Sequence, residues 1–160
     1  MSDAYGGSPV TITRPNDTSA YTANDVIGAA TGSTAAVEFK NMGPSGARIM
    51  ITSTQLEIDA TAVISGETSY RLHLYNITPP SASGDNAAWD LPSGDRASYL
   101  GFIELGTPVD LGSTLYVEQN IVNKQTSLST QSLWGYLVTI GAYTPTAQRI
   151  HKITLHSVAL

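Results

Sequence analysis

Short runs of alternating apolar and polar side chains make up most of this sequence, and their period of two indicates a β-rich fold. Tyr70, Leu72 and Leu74 share one parity, whereas Arg71 and His73 share the other. Successive side chains of a β-strand point to opposite faces, so such a run predicts a strand that buries one face. Most of the chain is therefore expected to form half-buried strands.

No segment has a convincing helical period. The strongest candidate, residues 19–30, contains Gly28 and the β-branched pair Val26 and Ile27. These residues disfavour a helix, so the segment is expected to be extended or to form one short turn. Since strands do not alternate with helices, a parallel α/β fold is disfavoured.

Strands are predicted between clusters of Gly, Pro, Asn and Asp, at 10–14, 20–27, 34–40, 47–59, 68–77, 98–105, 113–120, 132–143 and 151–159. A chain of 160 residues has room for one such domain. This pattern predicts an all-β fold, an antiparallel β-sandwich with a jelly roll as the leading topology. The domain is expected to span 10–160, after a short flexible N-terminal arm of residues 1–9.

Two strands depart from simple alternation. In 132–143 both faces are apolar, which predicts a strand that is central in its sheet or covered on both sides. In 47–59 the apolar residues change parity between the two halves of the strand. A slip of one residue reverses the faces, so a β-bulge or a crossing between sheets is expected near Ser53 and Thr54.

Composition excludes several classes of function. The formal net charge is −5, and the eight Lys and Arg residues are dispersed singly, which argues against nucleic-acid binding. Cys is absent, so disulfides and thiolate metal sites are excluded, in keeping with assembly in a reducing cytosol. No apolar stretch approaches the ~18 residues of a membrane span, and the N-terminus lacks the pattern of a cleaved signal. Neither membrane association nor signal-dependent secretion is expected.

The histidines do not suggest a metal site. His151 and His156 are an odd number of residues apart in one predicted strand, so they are expected to point to opposite faces. His73 can approach only one of them, and two ligands make a weak site. All three are predicted to be surface or interface residues, with no metal and no cofactor.

The acidic residues offer no clear chemistry either. Asp85, Asp90 and Asp95 recur with Asn86 in the long loop 78–96, where their oxygens could face a calcium ion. Their spacing does not match the common calcium loop, which has alternate ligands and a closing Glu. Turn formation and capping of N–H groups are the favoured roles. Without a nucleophile motif or a selected pair of carboxylates, the chain is predicted not to be an enzyme.

Aromatic residues leave two interpretations open. Trp89 lies in the long loop, and Tyr75 and Tyr116 lie on the polar parity of their strands. Trp89 either packs onto the sheet in a second small cluster or belongs to a contact surface, where Trp and Tyr are enriched.

Several stretches carry a family resemblance. They are Arg14-Pro15-Asn16-Asp17-Thr18, 21–28, 71–80, 85–91, 95–101 and 111–117. Together they resemble small structural proteins encoded in the head modules of tailed bacteriophages, some of which are capsid decoration (cement) proteins. The resemblance spans about residues 9–160 and includes no catalytic motif.

This resemblance implies a virion protein that is made in the host cytoplasm and binds the outer surface of the capsid. The implied partners are the major capsid protein and other copies of the chain, most simply as a homotrimer. The alternative is a tail- or fibre-associated adhesin whose loop 78–96 binds carbohydrate. The candidate interface residues are Tyr5, Val10, Ile12, Arg14, Trp89, Asp90 and Arg96.

Overall fold

The computed structural model describes residues 3–7 and 9–160, which form two antiparallel β-sheets. The first sheet contains β1 (Ala4–Gly6), β2 (Val10–Thr13), β5 (Arg48–Asp59), β8 (Val109–Asp110), β9 (Thr114–Ser127) and β11 (Ile150–Ala159). The second contains β3 (Val26–Ile27), β4 (Val37–Phe39), β6 (Tyr70–Tyr75), β7 (Tyr99–Gly106) and β10 (Leu133–Thr139). A 3-10 helix, Ser93–Asp95, interrupts the loop between β6 and β7.

The strand order is that of a jelly roll. In the first sheet β2 pairs with β11, which continues to β5 and β9; in the second, β4 pairs with β10, which continues to β6 and β7. Numbering these eight principal strands along the chain gives the orders 1-8-3-6 and 2-7-4-5, the two four-stranded sheets of a jelly roll. The predicted fold class, an all-β antiparallel sandwich, is confirmed.

The change of parity in β5 marks a β-bulge. Ile51 and Ser53 pair with the adjacent residues Ser157 and His156 of β11, which leaves Thr52 as the extra residue. The bulge returns the second half of the strand to the core, where Leu56 is as fully buried as Ile51. The bulge was expected one residue later, and β5 remains in a single sheet.

The second sheet is covered on both faces. β10 lies between β6 on one side and β3 and β4 on the other, and its residues are buried on both parities, as predicted. β6, by contrast, was expected to be half-buried, and that expectation is wrong, because His73 and Tyr75 on its outer parity are 3% and 1% exposed. Loop 78–96 folds back over this face and covers them.

Several strand boundaries differ from the prediction, and β10, for example, ends at Thr139 rather than at residue 143. β9 continues to Ser127, and only Val26–Ile27 of the predicted strand 20–27 is a strand. Part of the expected arm, Ala4–Gly6, is β1 and pairs with residues 156–158 of β11 in the sheet of the domain. Met1, Ser2 and Ser8 of the predicted arm lie outside the described residues. Among the described residues, no helix has the length and apolar character needed to cross a bilayer.

Candidate contact surfaces

A buried polar network ties loop 78–96 to the sandwich. Asp85 is 3% exposed, and its Oδ1 accepts hydrogen bonds from the Tyr21 hydroxyl at 2.5 Å and from the Gly28 N–H at 2.9 Å. Nη2 of Arg14 lies 3.5 Å from Oδ2, and Arg14 also donates from Nε to the Tyr21 hydroxyl. Burial, together with the carboxylate beside it, raises the pKa of the Tyr21 hydroxyl. Asp85 therefore anchors the loop.

The other two loop aspartates point elsewhere. Asp95 accepts from the N–H and hydroxyl of Ser81 at 3.1 and 2.9 Å, whereas Asp90 is exposed. Asp85 and Asp95 thus cap N–H groups, the role favoured from the sequence. Across residues 3–7 and 9–160, no group of three or more His, Asp or Glu side chains is placed to hold a metal ion.

Beneath the same loop lies an aromatic cluster. The imidazole of His73 stacks on the indole of Trp89 with centroids 3.5 Å apart, and the indole N–H donates to the Tyr75 hydroxyl at 3.3 Å. Tyr75 in turn contacts Tyr136 edge to face at 5.8 Å. Of the two interpretations of Trp89, packing onto the sheet in a second small cluster is the one that the structure shows.

Two of the three histidines are buried, which corrects the expectation that all three are surface or interface residues. His73 is 3% exposed, and His151 is fully buried in the main core. Burial lowers the pKa of each imidazole to about 3, with a further contribution from Arg71 for His73 and from Arg149 and Arg14 for His151. His156 is half-buried on the opposite face of β11 from His151, as predicted.

The aromatic cluster reaches the surface at Phe102. This residue is 46% exposed, and its ring lies 5.8 Å from that of His73. The guanidinium of Arg71 lies over the ring at 4.3 Å and is held there by Oε1 of Glu104, 2.8 and 2.6 Å from its Nε and Nη2. Phe102 is therefore an exposed aromatic side chain on a rigid support.

Phe102 borders a groove between the edges of the two sheets, lined by 102–104 of β7 and 119–124 of β9, with a volume of about 370 Å³. Val122, on its β9 side, is 84% exposed, the largest value among the exposed large apolar residues of the described chain. Lys124 crosses from β9 to β7, where its Nζ donates to the Leu100 carbonyl at 2.8 Å. We call this groove the seam surface, defined by Phe102, Glu104, Ile121, Val122 and Lys124.

Both strands at the seam surface have an unpaired edge. In the described chain β7 pairs only with β6, and β9 beyond Tyr116 pairs only with β5. Each edge is irregular: the pairing of β9 with β5 shifts opposite Thr52, and β7 has Gly101 with φ +87°. Irregular edges resist indiscriminate pairing with other strands, so a partner of this surface has to match its side chains.

The predicted interface residues are scattered over the molecule. Ile12 and Arg14 are 3% and 1% exposed, and Ile12 belongs to the main core. These two have almost no surface for a partner, so the structure does not support them as interface residues. Their burial was not predicted, because the residues that bury them are remote in sequence.

The remaining five candidates are more exposed. Val10 packs partly against the core, Tyr5 is half-buried on β1, and Trp89 is half-buried on His73. Asp90 and Arg96 are exposed, and their role in an interface stays a prediction.

Phe102 and Val122 were not among the residues predicted for an interface. Phe102 lies in the predicted strand 98–105 on the parity opposite Ile103, a signal that was present in the alternation. Val122 lies beyond the predicted end of its strand at residue 120, and no local pattern marks it.

The architecture defines the class of this protein as a jelly-roll β-sandwich with covered outer aromatics and an open seam. No protein-family model matches the chain, and no curated protein matches it in sequence. Solved structures with a distant likeness include that of Tomato aspermy virus, at 7% identity and a TM-score of 0.33, covering 96% of this chain and 76% of that one.

Two further solved structures have a similarly distant likeness to this chain. Cocksfoot mottle virus matches at 8% identity and a TM-score of 0.30, covering 98% of this chain and 95% of that one. The CBM22-1 and GH10 modules of Clostridium thermocellum xylanase 10B match at 6% identity and a TM-score of 0.33, covering 98% of this chain and 26% of that one. TM-scores this low do not show a shared topology.

Proposed function

We propose that this protein is a structural component of a virion, which decorates the outside of a tailed-phage capsid by non-covalent binding to the major capsid protein lattice. The resemblance in linear sequence to phage head proteins supports the class, and the seam surface supports a binding role. Its synthesis in the host cytoplasm and its place on the capsid exterior belong to the same proposal.

The observation that carries the proposal is that the exposed side chains of Phe102 and Val122 line the same groove. Two exposed apolar side chains on adjacent strand edges make a small patch that is costly to leave in water. Arg71 and Glu104 fix the aromatic ring, so little side-chain entropy is lost when a partner covers it. A preorganised patch of this kind suits a binding protein that performs no reaction.

Decoration needs only affinity for one state of the lattice. A protein that binds the mature lattice and not its precursor stabilises the mature form by mass action, about 4 kcal/mol per site at a thousandfold excess over the dissociation constant. Many such sites on a closed shell raise the barrier to its rupture. The low charge of the surface, with 13% charged residues in the chain, limits the desolvation that binding requires.

The test is co-sedimentation with mature capsids and with unexpanded procapsids. Binding to mature capsids is expected, and Val122→Ser is expected to weaken it by about tenfold. Ile77→Ser serves as the control, because Ile77 is also an exposed apolar residue, 43% exposed, but lies in the loop after β6. Failure to bind either particle would contradict the proposal.

The homotrimer is part of this proposal and has a separate test. A mass of three chains by light scattering at micromolar concentration supports it, and a monomer under the same conditions contradicts it. Copy number in a purified virion distinguishes the locations, since hundreds of copies indicate the head and a handful indicate the tail or a vertex.

A carbohydrate-binding adhesin, the alternative from the sequence, would depend on Trp89. His73 covers one face of the indole and Tyr75 takes its N–H, so only the second face is left for a sugar. A glycan array that gives signal with the native chain and with Asp90→Ala, but not with Trp89→Ala, would favour the adhesin over decoration.

A further inference from the structure

A second cavity, remote from the seam surface, lies at the end of the sandwich. It has a volume of about 510 Å³ and is lined by residues 59–64, after β5, and 146–149, before β11. Its polar lining includes Thr61, Thr146 and Gln148, with Asp59 as its acidic residue. Gln148 has a left-handed backbone, with φ +55°, directly before Arg149.

Arg149 contributes an unsatisfied cation to this cavity. Its side chain is fully buried, and Nη2 donates to Oε2 of Glu67 at 3.0 Å. Nε and Nη1 have no acceptor among the described residues. Buried N–H groups of native proteins almost always have an acceptor, since leaving one unpaired costs free energy. The two nitrogens therefore need a hydrogen-bond acceptor that the described residues do not provide.

The guanidinium lies directly behind the cavity wall. Oε2 of Glu67, which accepts from Arg149, also accepts from the backbone N–H of Ile64 at 2.9 Å. Ile64 is part of the lining, so a single carboxylate oxygen connects the wall to the guanidinium. Arg149 is itself a residue of the lining, so the two free N–H groups belong to a residue of the cavity wall.

We propose that this cavity binds a carboxylate, with the free N–H groups of Arg149 as the main donors. The two nitrogens lie on different edges of the guanidinium, so a carboxylate oxygen accepts from one of them, and hydrogen bonds between charged partners are stronger than neutral ones. Asp59 in the lining opposes anions of higher charge, which favours a singly charged group. The threonine hydroxyls and the Gln148 amide complete the polar surroundings.

The carboxylate has two possible sources, a free organic acid or an acidic side chain of a partner protein. Two probes separate them: acetate for the first, and N-acetyl-aspartate methylamide for the second. Each is titrated into the native chain in place of chloride at constant ionic strength, and backbone amide shifts are followed by NMR. Saturable shifts confined to residues 59–64 and 146–149 are expected with the probe that resembles the natural source.

Three variants test the assignment. Arg149→Lys keeps a positive charge for Glu67 but removes the additional nitrogen donors of the guanidinium, and is expected to weaken binding by about tenfold. Asp59→Asn removes the opposing charge and is expected to strengthen it. Ala147→Asp, at an exposed position in the lining, is expected to abolish it, whereas Ala142→Asp adds the same charge outside the lining and serves as the control.

The outcome does not depend on the virion role, because the readout is binding by the isolated chain. Saturable shifts that Asp59→Asn strengthens and Ala147→Asp removes support the site even where Arg149→Lys fails to fold. Shifts that neither probe saturates, or that the variants leave unchanged, overturn the proposal. A crystal structure grown with acetate that shows only water at Nε and Nη1 of Arg149 overturns it as well.

Discussion

The imidazole of His73 and the indole of Trp89 lie 3.5 Å apart with their planes 7° from parallel. One residue belongs to the central strand β6 and the other to the long loop 78–96. The stack holds the loop against the outer face of the second sheet, and the hydrogen bond from Trp89 to Tyr75 fixes the indole in its plane.

Trp89→Ala is therefore expected to destabilise the whole domain as well as the loop. Truncation of a packed tryptophan removes its dispersion contacts and uncovers Tyr75, at a cost of about 3 kcal/mol in the free energy of unfolding. Urea unfolding measures the change. Asp90→Ala, at the exposed neighbouring position, is the control and should change the free energy by less than about 0.5 kcal/mol. Equal stabilities of the two variants would show that the stack contributes nothing.

The two buried histidines predict an unusual pH dependence of stability. Burial lowers the pKa of both His73 and His151 to about 3, against the ordinary value of 6.5. As the pH falls below about 6.5 the unfolded chain takes up protons that the folded chain does not, so stability is lost between about pH 6.5 and pH 3. Above pH 6.5 both states are neutral at these residues, and the histidines have no effect.

Urea unfolding between pH 7.5 and pH 4.5 isolates this effect, because carboxylates titrate mostly below that window. Each histidine contributes a slope of up to about 1.4 kcal/mol per pH unit. His151→Leu should flatten the curve, since leucine fills a similar space without a titrating group. A flat native curve over this window would contradict the low pKa values.

The predictable part of the fold is the part that depends on near neighbours in sequence. Alternation located most of the long strands, and the change of parity in β5 revealed the bulge, because a bulge leaves its mark within the strand itself. The double coverage of β10 was visible for the same reason, as both of its parities are apolar.

Features that depend on residues far apart in the sequence were not predicted. Arg14 has the composition of a surface residue, and its burial follows from Asp85, which a different part of the chain supplies. The outer face of β6 has the residue pattern of an exposed face. Its burial depends on Trp89 of loop 78–96, which covers His73. The seam surface arises from the meeting of β7 and β9, so no single stretch of sequence defines it.

Asp85→Asn is expected to loosen loop 78–96. The amide still accepts hydrogen bonds, but the buried guanidinium of Arg14 loses a carboxylate partner, which costs about 3 kcal/mol when one member of a buried pair is removed. Hydrogen exchange should increase at the Gly28 amide, which donates to Asp85. Asp90→Asn makes the same chemical change at an exposed position in the same loop. In this control, exchange at the Gly28 amide should stay as in the native chain. Protection at Gly28 that is unaltered in Asp85→Asn would remove the anchoring role of Asp85.

Gly66 precedes the buried Glu67 that pairs with Arg149, and the backbone there leaves no room for a side chain. An ideal Cβ on Gly66 would lie 2.1 Å from the carbonyl oxygen of Ala142, and φ is +90°. Both the contact and the backbone angle oppose Gly66→Ala, which is expected to cost at least about 3 kcal/mol. Gly94→Ala is the matched control, because nothing lies within 4 Å of its Cβ position and its φ is not in the left-handed range. Thermal unfolding of the pair should therefore give a large decrease in Tm for the first variant and almost none for the second. Similar Tm values would mean that the turn at Gly66 relaxes without cost and that the close approach to Ala142 does not constrain this end of the sandwich.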